Sequence, residues 1–165
     1  MDIDYTIEPM TSEDHKPVID IFNYYAENSF AAFPEGPVSD GFFEQLIKPT
    51  GKYPAVVIRD GTGAVAGFAF MHPYYSDETL RRTAEVSYFL MPHLTRHGIG
   101  AAIIEQFTER ARAMGIDNFL ACISSLNHEA IEFHLKHGFE ECGRMLAVGS
   151  KFGQDFDIVW MQKRI

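Results

Sequence analysis

Two glycines placed between an apolar segment and a helix constrain this chain more than any other feature. Residues 84–91 are mostly apolar and predict a β-strand, whereas the apolar residues after position 100 recur at helical spacing until Gly115. Between them, Gly98 and Gly100 lack a Cβ, so a turn there can bring several backbone N–H groups close to an anion at the positive end of the helix dipole. The junction therefore predicts a turn that binds a diphosphate.

The turn matches neither of two common phosphate-binding motifs. A dinucleotide-binding motif needs a third glycine, where this chain has Ile103, and a P-loop needs a Gly-Lys-Ser/Thr sequence that the chain lacks. A plain tight turn without a ligand is the alternative interpretation, because short glycine motifs are weak signals. A phosphate site here would belong to a different family of proteins.

The order of the remaining elements is typical of one mixed α/β domain over residues 1–165. Periodicity and turn residues predict a helix from the start signal at 11–14 to about residue 27, further helices at 41–46, 99–114 and 127–137, and strands at 5–9, 55–58, 64–71, 84–91, 119–123, 144–149 and 156–161. A right-handed crossover makes strands 84–91 and 119–123 parallel neighbours. The glycine turn then lies at their carboxyl ends.

The charge of the chain argues against two kinds of partner. Its net charge of −9 argues against nucleic acid or an anionic membrane surface as partner, since both would need a basic patch, but it permits an amine-bearing substrate. The chain begins Met-Asp-Ile-Asp rather than with a basic leader, and no apolar run approaches the ~20 residues of a spanning helix. We therefore expect a cytoplasmic protein without a membrane or nucleic-acid partner.

Cysteines and histidines give little support for a disulfide or a metal site. The two cysteines, Cys122 and Cys142, cannot form a disulfide framework, and we expect free, buried thiols. The seven histidines form no His-Glu-x-x-His motif and have no Cys-x-x-Cys pair to join, so we expect no metal. The only candidate ligands are the pairs His93/His97 and His134/His137.

Four features occur in an order that a known family shows. A strand ends at the glycine turn, a second parallel strand ends at residues 126–127, a helix carries His134, and a Gly-Phe pair closes it at 138–139. Over almost the whole chain, this order resembles the GNAT superfamily of acetyl-CoA-dependent N-acetyltransferases. The resemblance implies an α/β fold with a central twisted mixed sheet of about six or seven strands, flanking helices, and two parallel strands that splay apart at the coenzyme site.

Three further features resemble the phosphinothricin N-acetyltransferase branch of that superfamily. They are Glu85 before the turn, Asn127 with His134 seven residues later, and the segment 149–153 with Asp157. One departure concerns the family pattern Gln/Arg-x-x-Gly-x-Gly/Ala, whose first position is Thr95 here. Backbone N–H groups bind most of the diphosphate in this family, and Arg96 beside Thr95 can partly substitute for the missing side chain.

The resemblance implies a binding site for acetyl-CoA as cosubstrate. The pantetheine arm would pair with the backbone of Phe89, Leu90 and Met91. The diphosphate would be wrapped by residues 96–101, which are Arg96, His97, Gly98, Ile99, Gly100 and Ala101. Asn127 would bind the pantetheine amide, and it is also a residue type that favours the N-cap of a helix.

The resemblance also implies two catalytic residues. Glu85 would be the general base, because partial burial in an apolar strand raises the pKa of a carboxyl toward neutrality. The alternative for Glu85 is a salt bridge to Arg81 or Arg82 or an exposed position at a sheet edge. His134 would protonate the leaving thiolate, with a surface histidine without a role as the alternative and His137 as a competitor.

These residues imply direct attack of an amine on acetyl-CoA, with a covalent intermediate on Cys122 or Cys142 as the rival mechanism. The acceptor would be a small-molecule amine, an amino acid or analogue whose carboxylate is recognised by Arg81, Arg82 or Lys151. Its side chain would contact Phe30, Phe33 or Tyr75. Two alternatives stay open, a non-catalytic acyl-CoA sensor and a protein N-terminal acetyltransferase, and so does a homodimer.

Overall fold

The computed structural model describes residues 3–165, which form one mixed sheet flanked by helices. In chain order the elements are β1 (Tyr5–Pro9), α1 (His15–Asn28), α2 (Phe42–Ile47), β2 (Ala55–Asp60), β3 (Val65–Pro73), β4 (Thr83–Leu90), α3 (Ile99–Ala113), β5 (Asn118–Ser124), α4 (His128–Lys136), β6 (Glu140–Lys151) and β7 (Gln154–Arg164). The strands lie in the order β1-β2-β3-β4-β5-β7-β6. The predicted fold class is confirmed, and the two last strands are longer than predicted.

Strands β4 and β5 are parallel and stay together over only three residue pairs. Thr83, Ala84 and Glu85 pair with residues 118–120, after which the two strands separate. Each strand keeps its other neighbour: β4 pairs with β3 as far as Leu90, and β5 pairs with β7 as far as Ser124. The opening beyond Glu85, which we call the gap, is therefore part of the fold, and the predicted splay of two parallel strands is confirmed.

The sheet separates two hydrophobic cores. The α3/α4 face packs Ile103 and Phe107 against strand residues that include Val86 and Phe119. The α1/α2 face packs helix residues such as Phe22 against Phe68 and its neighbours. None of the helices between residues 3 and 165 has the length and apolar character that crossing a bilayer requires.

The glycine turn between β4 and α3 uses its two glycines for different reasons. Gly98 has φ +79°, a left-handed conformation that side chains with a Cβ rarely adopt. Gly100 lies in the first turn of α3, where a Cβ would meet the ring of Phe133 on α4 at 2.7 Å. Gly98 therefore shapes the turn, and Gly100 allows α3 and α4 to approach each other closely.

Candidate functional site

Glu85 lies at the last pairing position before the gap, on the α1/α2 face of the sheet. Its neighbours Ala84 and Val86 belong to the α3/α4 core, so alternation along β4 points the Glu85 side chain to the opposite face. The side chain is 21% exposed, and burial raises the pKa of its carboxyl, while the nearby His72 opposes that shift. The strand thus presents a half-buried carboxylate at the edge of the gap.

The salt bridges considered for Glu85 in the sequence are not the ones observed. Arg82 binds Asp117, with its Nε 2.8 Å from Oδ1, and Arg81 joins none of the ion pairs found within residues 3–165. The basic group beside Glu85 is His72 on β3, whose Nε2 lies 3.7 Å from Oε2. Sequence analysis gave His72 no role, although the antiparallel pairing of β3 with β4 would have placed it opposite Glu85.

Cys122 lies near Glu85 and remains a thiol. It is half-buried on β5, and both desolvation and the negative charge of Glu85 raise its pKa to about 11. A thiol with so high a pKa is a poor nucleophile at neutral pH. Cys142 is exposed, contrary to the expectation that both thiols are buried, and its Sγ lies 3.4 Å from the carbonyl oxygen of Trp160. Neither environment activates a cysteine for a covalent mechanism.

His134 lies on the α3/α4 face and is buried, with 4% of its surface exposed. Its Nδ1 donates a hydrogen bond of 2.6 Å to the carbonyl of Ala130, because a carbonyl oxygen can only accept. Burial lowers its pKa to about 4, so the ring is neutral at pH 7 and its Nε2 carries a lone pair rather than a proton. The alternative of a surface histidine is therefore wrong, and the neutral ring is an acceptor at Nε2.

A second polar group beside His134 lacks a partner. The Tyr88 ring lies 5.7 Å from the His134 ring and 6.0 Å from that of Phe133. The Tyr88 hydroxyl and His134 Nε2 are both buried without a hydrogen bond to any of residues 3–165. Buried polar atoms normally have partners. A donor and an acceptor are thus left unpaired on the α3/α4 side of the gap.

The backbone N–H and C=O groups of alternate β4 residues point to β3 and to the gap. The N–H of Met91 donates to the carbonyl of Ala66 at 2.8 Å, which directs the backbone of Met91 and Phe89 toward β3. Val86, Tyr88 and Leu90 therefore direct their backbone groups toward the gap, and the Leu90 carbonyl accepts a hydrogen bond from the Tyr25 hydroxyl. Of the three residues predicted to pair with pantetheine, Leu90 alone faces the gap with its backbone.

Unpaired N–H groups are present at the start of α3. The first helical bond runs from the Ala102 N–H to the Gly98 carbonyl, so the N–H groups of residues 99–101 have no helical partner. Arg96 has φ +65°, and its exposed guanidinium lies 3.9 Å from Glu129. The Thr95 hydroxyl donates to the Pro92 carbonyl at 2.8 Å, so its side chain supports the turn locally. His97 and the helical residues Ile99 and Ala101 complete the predicted diphosphate loop.

Asn127 is the N-cap of α4. Its side-chain oxygen accepts a hydrogen bond of 3.3 Å from the N–H of Ala130. The capping interpretation of Asn127 is confirmed, and the coenzyme contact stays a prediction.

The side chains predicted to bind the acceptor differ in exposure and in the contacts that they already make. Lys151 is 2% exposed, its Nζ donates to the Ala32 carbonyl at 2.7 Å, and burial lowers its pKa, so this cation is already engaged. Phe30 and Phe33 pack on the ring of Phe156, at 6.3 and 6.1 Å. Phe156 and Trp160 are four residues apart on β7 and therefore lie on the same face of the sheet. Trp160 pairs with Cys122, which lies two residues after the Glu85 partner Leu120, so this is also the face of Glu85.

The two remaining kinds of predicted acceptor ligand are exposed. Tyr75 is 57% exposed and packs on Tyr74, whose ring in turn meets Trp160 at 6.2 Å. Arg82 is engaged by Asp117, whereas Arg81 is exposed. No cluster of three or more histidine, cysteine or acidic side chains in the described part of the chain is arranged to hold a metal ion.

Comparison with known proteins places the chain in a family. Residues 18–139 match the model of the Acetyltransferase (GNAT) family. The chain is 32% identical over 149 residues to an L-methionine sulfoximine/L-methionine sulfone acetyltransferase of Pseudomonas aeruginosa. The aligned region covers 88% of this chain and 86% of that protein. The chain therefore belongs to the acetyltransferase (GNAT) family.

Solved structures agree with this assignment. A phosphinothricin acetyltransferase from Sinorhizobium meliloti in complex with acetyl-CoA superposes with a TM-score of 0.89 at 29% identity, covering 100% of this chain and 89% of that one. A ribosomal-protein-alanine N-acetyltransferase from Brucella melitensis superposes with a TM-score of 0.85 at 30% identity, covering 97% and 99%. The resemblance found in the sequence is confirmed, and the chain is an acetyltransferase.

Proposed function

We propose that this chain, as a single domain, transfers the acetyl group of acetyl-CoA to the primary amine of an amino acid or close analogue, with Glu85 as general base. The observation that carries the proposal is a half-buried carboxylate at the edge of the gap between β4 and β5 in a member of an acetyltransferase family. The relatives named for L-methionine sulfoximine and for phosphinothricin support this class of acceptor.

The two substrates approach the gap from opposite faces of the sheet. On the α3/α4 side, the free N–H groups at the start of α3 hold the diphosphate, and Asn127 and the gap-facing backbone of β4 hold the pantetheine arm. On the α1/α2 side, the acceptor lies between Glu85 and the aromatic residues Phe30, Phe33 and Tyr75. The thioester carbonyl then meets the amine within the gap.

The proposed chemistry is a direct transfer. Glu85 takes a proton from the ammonium group of the acceptor, directly or through water, and the neutral amine attacks the thioester carbonyl. Gap-facing N–H groups of β4 polarise that carbonyl as charge develops on its oxygen. The amine nitrogen forms its bond to the acetyl carbon, and the carbon–sulfur bond breaks to release coenzyme A as a thiolate. The second amine proton passes to that thiolate or to water, which leaves the neutral amide.

We propose that His134 binds the coenzyme and is not a general acid, because its neutral ring carries no proton on Nε2. With a pKa of about 4, only about one ring in a thousand carries the second proton at pH 7. We propose that its Nε2 accepts a hydrogen bond from the coenzyme, while the Tyr88 hydroxyl donates one. The thiolate is a fair leaving group without a general acid.

Recognition of the acceptor carboxylate falls to Arg81 among the predicted cations. Arg82 already binds Asp117, and Lys151 is buried with its ammonium on a backbone carbonyl. Arg81 is exposed and lies four residues before Glu85, on the loop that leads into β4. A guanidinium there would bind a carboxylate and repel a polyamine.

An acceptor screen tests the proposal. Purified protein is incubated with acetyl-CoA and, in separate reactions, L-methionine sulfoximine, L-methionine sulfone, phosphinothricin, unmodified amino acids, their methyl esters, spermidine and a peptide that begins with alanine. Thiol release gives the rate, and mass spectrometry identifies the acetylated product. We expect turnover of free amino acids or analogues and weak turnover of the esters.

Other outcomes of the screen separate the alternatives. Preferred acetylation of the alanine peptide would overturn the small-molecule acceptor and favour a protein acetyltransferase, which the Brucella melitensis neighbour brings forward. Preferred turnover of esters or spermidine would overturn carboxylate recognition while leaving acetyl transfer intact. Binding of acetyl-CoA without turnover of any acceptor would favour a sensor module.

A further inference from the structure

His72 and Glu85 form a cross-strand pair next to the gap. They lie directly opposite each other on β3 and β4, and the imidazole Nε2 is 3.7 Å from the carboxylate Oε2. The exposed fractions of the two side chains are similar, 23% for His72 and 21% for Glu85, so both are partly shielded from water. Charges at this distance and degree of burial influence each other strongly.

The orientation of the His72 ring is fixed by its other nitrogen. Nδ1 lies 2.9 Å from the carbonyl oxygen of Pro73 and donates to it, since that oxygen can only accept. The ring of Phe70 stacks beside the imidazole with a centroid distance of 6.2 Å. Nε2 is therefore held toward Glu85, and when the ring is protonated it presents an N–H to the carboxylate.

We infer that His72 is a positioning residue for Glu85: its Nε2, held toward the carboxylate from the opposite strand, orients Glu85 at the gap. This inference rests on the proposed role of Glu85 as general base. The proton that Glu85 takes from the acceptor leaves to water, and His72 itself touches neither substrate. Among residues 3–165, the ion pairs give Glu85 no basic partner other than His72.

The other titratable groups around the pair have identifiable effects. Cys122 on β5 stays a neutral thiol beside Glu85, because its pKa is raised to about 11. Tyr74, on the loop after β3, packs its ring against Trp160 of β7, and the indole of Trp160 does not titrate. Burial raises the pKa of Glu85 and His72 opposes that effect, so removing His72 leaves the effect of burial uncompensated.

The first test is the pH dependence of kcat in His72→Phe, which keeps a ring and removes both nitrogens. We expect the acidic limb of the profile to move to higher pH, so that kcat falls several times more at pH 6 than at pH 8.5. His15→Phe is the matched control, because the exposed His15 also bonds a carbonyl through Nδ1, that of Ser12 at 3.0 Å, but joins none of the ion pairs found within residues 3–165. A uniform loss of kcat at every pH would indicate a merely structural role and overturn the inference.

The second test does not depend on activity. Carbon-13 NMR of labelled glutamate carboxyl groups, with the Glu85 signal assigned from Glu85→Gln, follows the titration of Glu85 in the parent and in His72→Phe. We expect a higher pKa for Glu85 in the variant, and an unchanged pKa would overturn the inference. A higher pKa with an unmoved kcat profile would support the pairing and overturn the role of Glu85 as base. His72→Gln is measured in the same way if His72→Phe does not fold.

Discussion

Burial gives three titratable side chains near the gap different states at neutral pH. It raises the pKa of the Glu85 carboxyl, raises that of the Cys122 thiol to about 11, and lowers that of the His134 imidazole to about 4. In each case the charged form is disfavoured because the surroundings solvate it poorly. A carboxylate so treated becomes a better base, whereas the thiol stays a weak nucleophile and the imidazole stays neutral.

Glu85→Gln tests the base directly at the residue scale. The amide keeps the shape of the side chain and cannot take a proton, so we expect kcat to fall by about 10²–10⁴-fold if proton removal limits the rate. Acetyl-CoA binding, measured by calorimetry, should be unchanged. Glu109→Gln, an exposed position on α3, is the control. An undiminished rate in Glu85→Gln would give Glu85 a structural role.

His134 makes stability depend on pH. Its pKa is lower in the folded protein than in the unfolded chain, so the unfolded state binds more protons and acidification from pH 6.5 toward pH 4 destabilises the fold. This contribution is at most about 3 kcal/mol over that range. His134→Phe should remove this part of the pH dependence, as measured by urea unfolding at several pH values. His15→Phe should leave it in place, and a parallel pH dependence in both variants would contradict the buried neutral ring.

At the scale of secondary-structure elements, the sequence predicted the strands and helices better than the contacts between them. Periodicity identified β2, β3 and β4 closely, because their apolar residues face packed cores on both sides of the sheet. β6 was predicted too short, since this mostly exposed edge strand has a weak pattern and its register shifts between Met145 and Gly149. Periodicity is a local signal, so elements with a buried face are the ones it finds.

Relations between elements depend on contacts that a single sequence does not reveal. The neutral state of His134 follows from its burial on the core-facing side of α4, against Tyr88 and Phe139. The pairing of His72 with Glu85 follows from the register of β3 on β4. A lysine is normally a surface residue, but Lys151 is buried and its ammonium binds the carbonyl of Ala32. The resemblance pointed to Glu85 and the glycine turn, whereas these tertiary contacts required the structure.

The contact between α3 and α4 predicts the effect of substitutions in the glycine turn. In Gly100→Ala the new Cβ would lie 2.7 Å from the Phe133 ring, so either that ring or the two helices must shift, and both stability and acetyl-CoA affinity should fall. Gly98→Ala has open space around its Cβ and should lose about 1–2 kcal/mol of stability through its left-handed backbone. Urea unfolding and thermal shift with acetyl-CoA measure the two effects.

A double substitution identifies the cause of the Gly100 effect. Phe133→Leu removes the ring atoms that crowd position 100, so Gly100→Ala with Phe133→Leu should be less destabilised than the sum of the single changes. Additive losses would show that the Phe133 contact is not what requires glycine at position 100. Because this packing also supports the turn, loss of coenzyme binding in a Gly100 variant does not by itself identify a diphosphate contact.

At the scale of the whole molecule, the sheet separates the groups proposed for the coenzyme from the group proposed as base. The glycine turn and the buried pair Tyr88 and His134 lie toward α3 and α4, whereas Glu85 lies on the face that α1 and α2 cover. The three-pair junction of β4 with β5 leaves one opening between these faces next to Glu85. We therefore expect the thioester and the amine to meet in that opening.

The most direct test of this central claim is a crystal structure of the protein with coenzyme A and an accepted acceptor bound together. We predict that the coenzyme sulfur lies in the gap between β4 and β5, with the acceptor amine on the α1/α2 side and within hydrogen-bond or single-water reach of Glu85. Both ligands on the α3/α4 side, or an amine with no path to Glu85, would contradict the account.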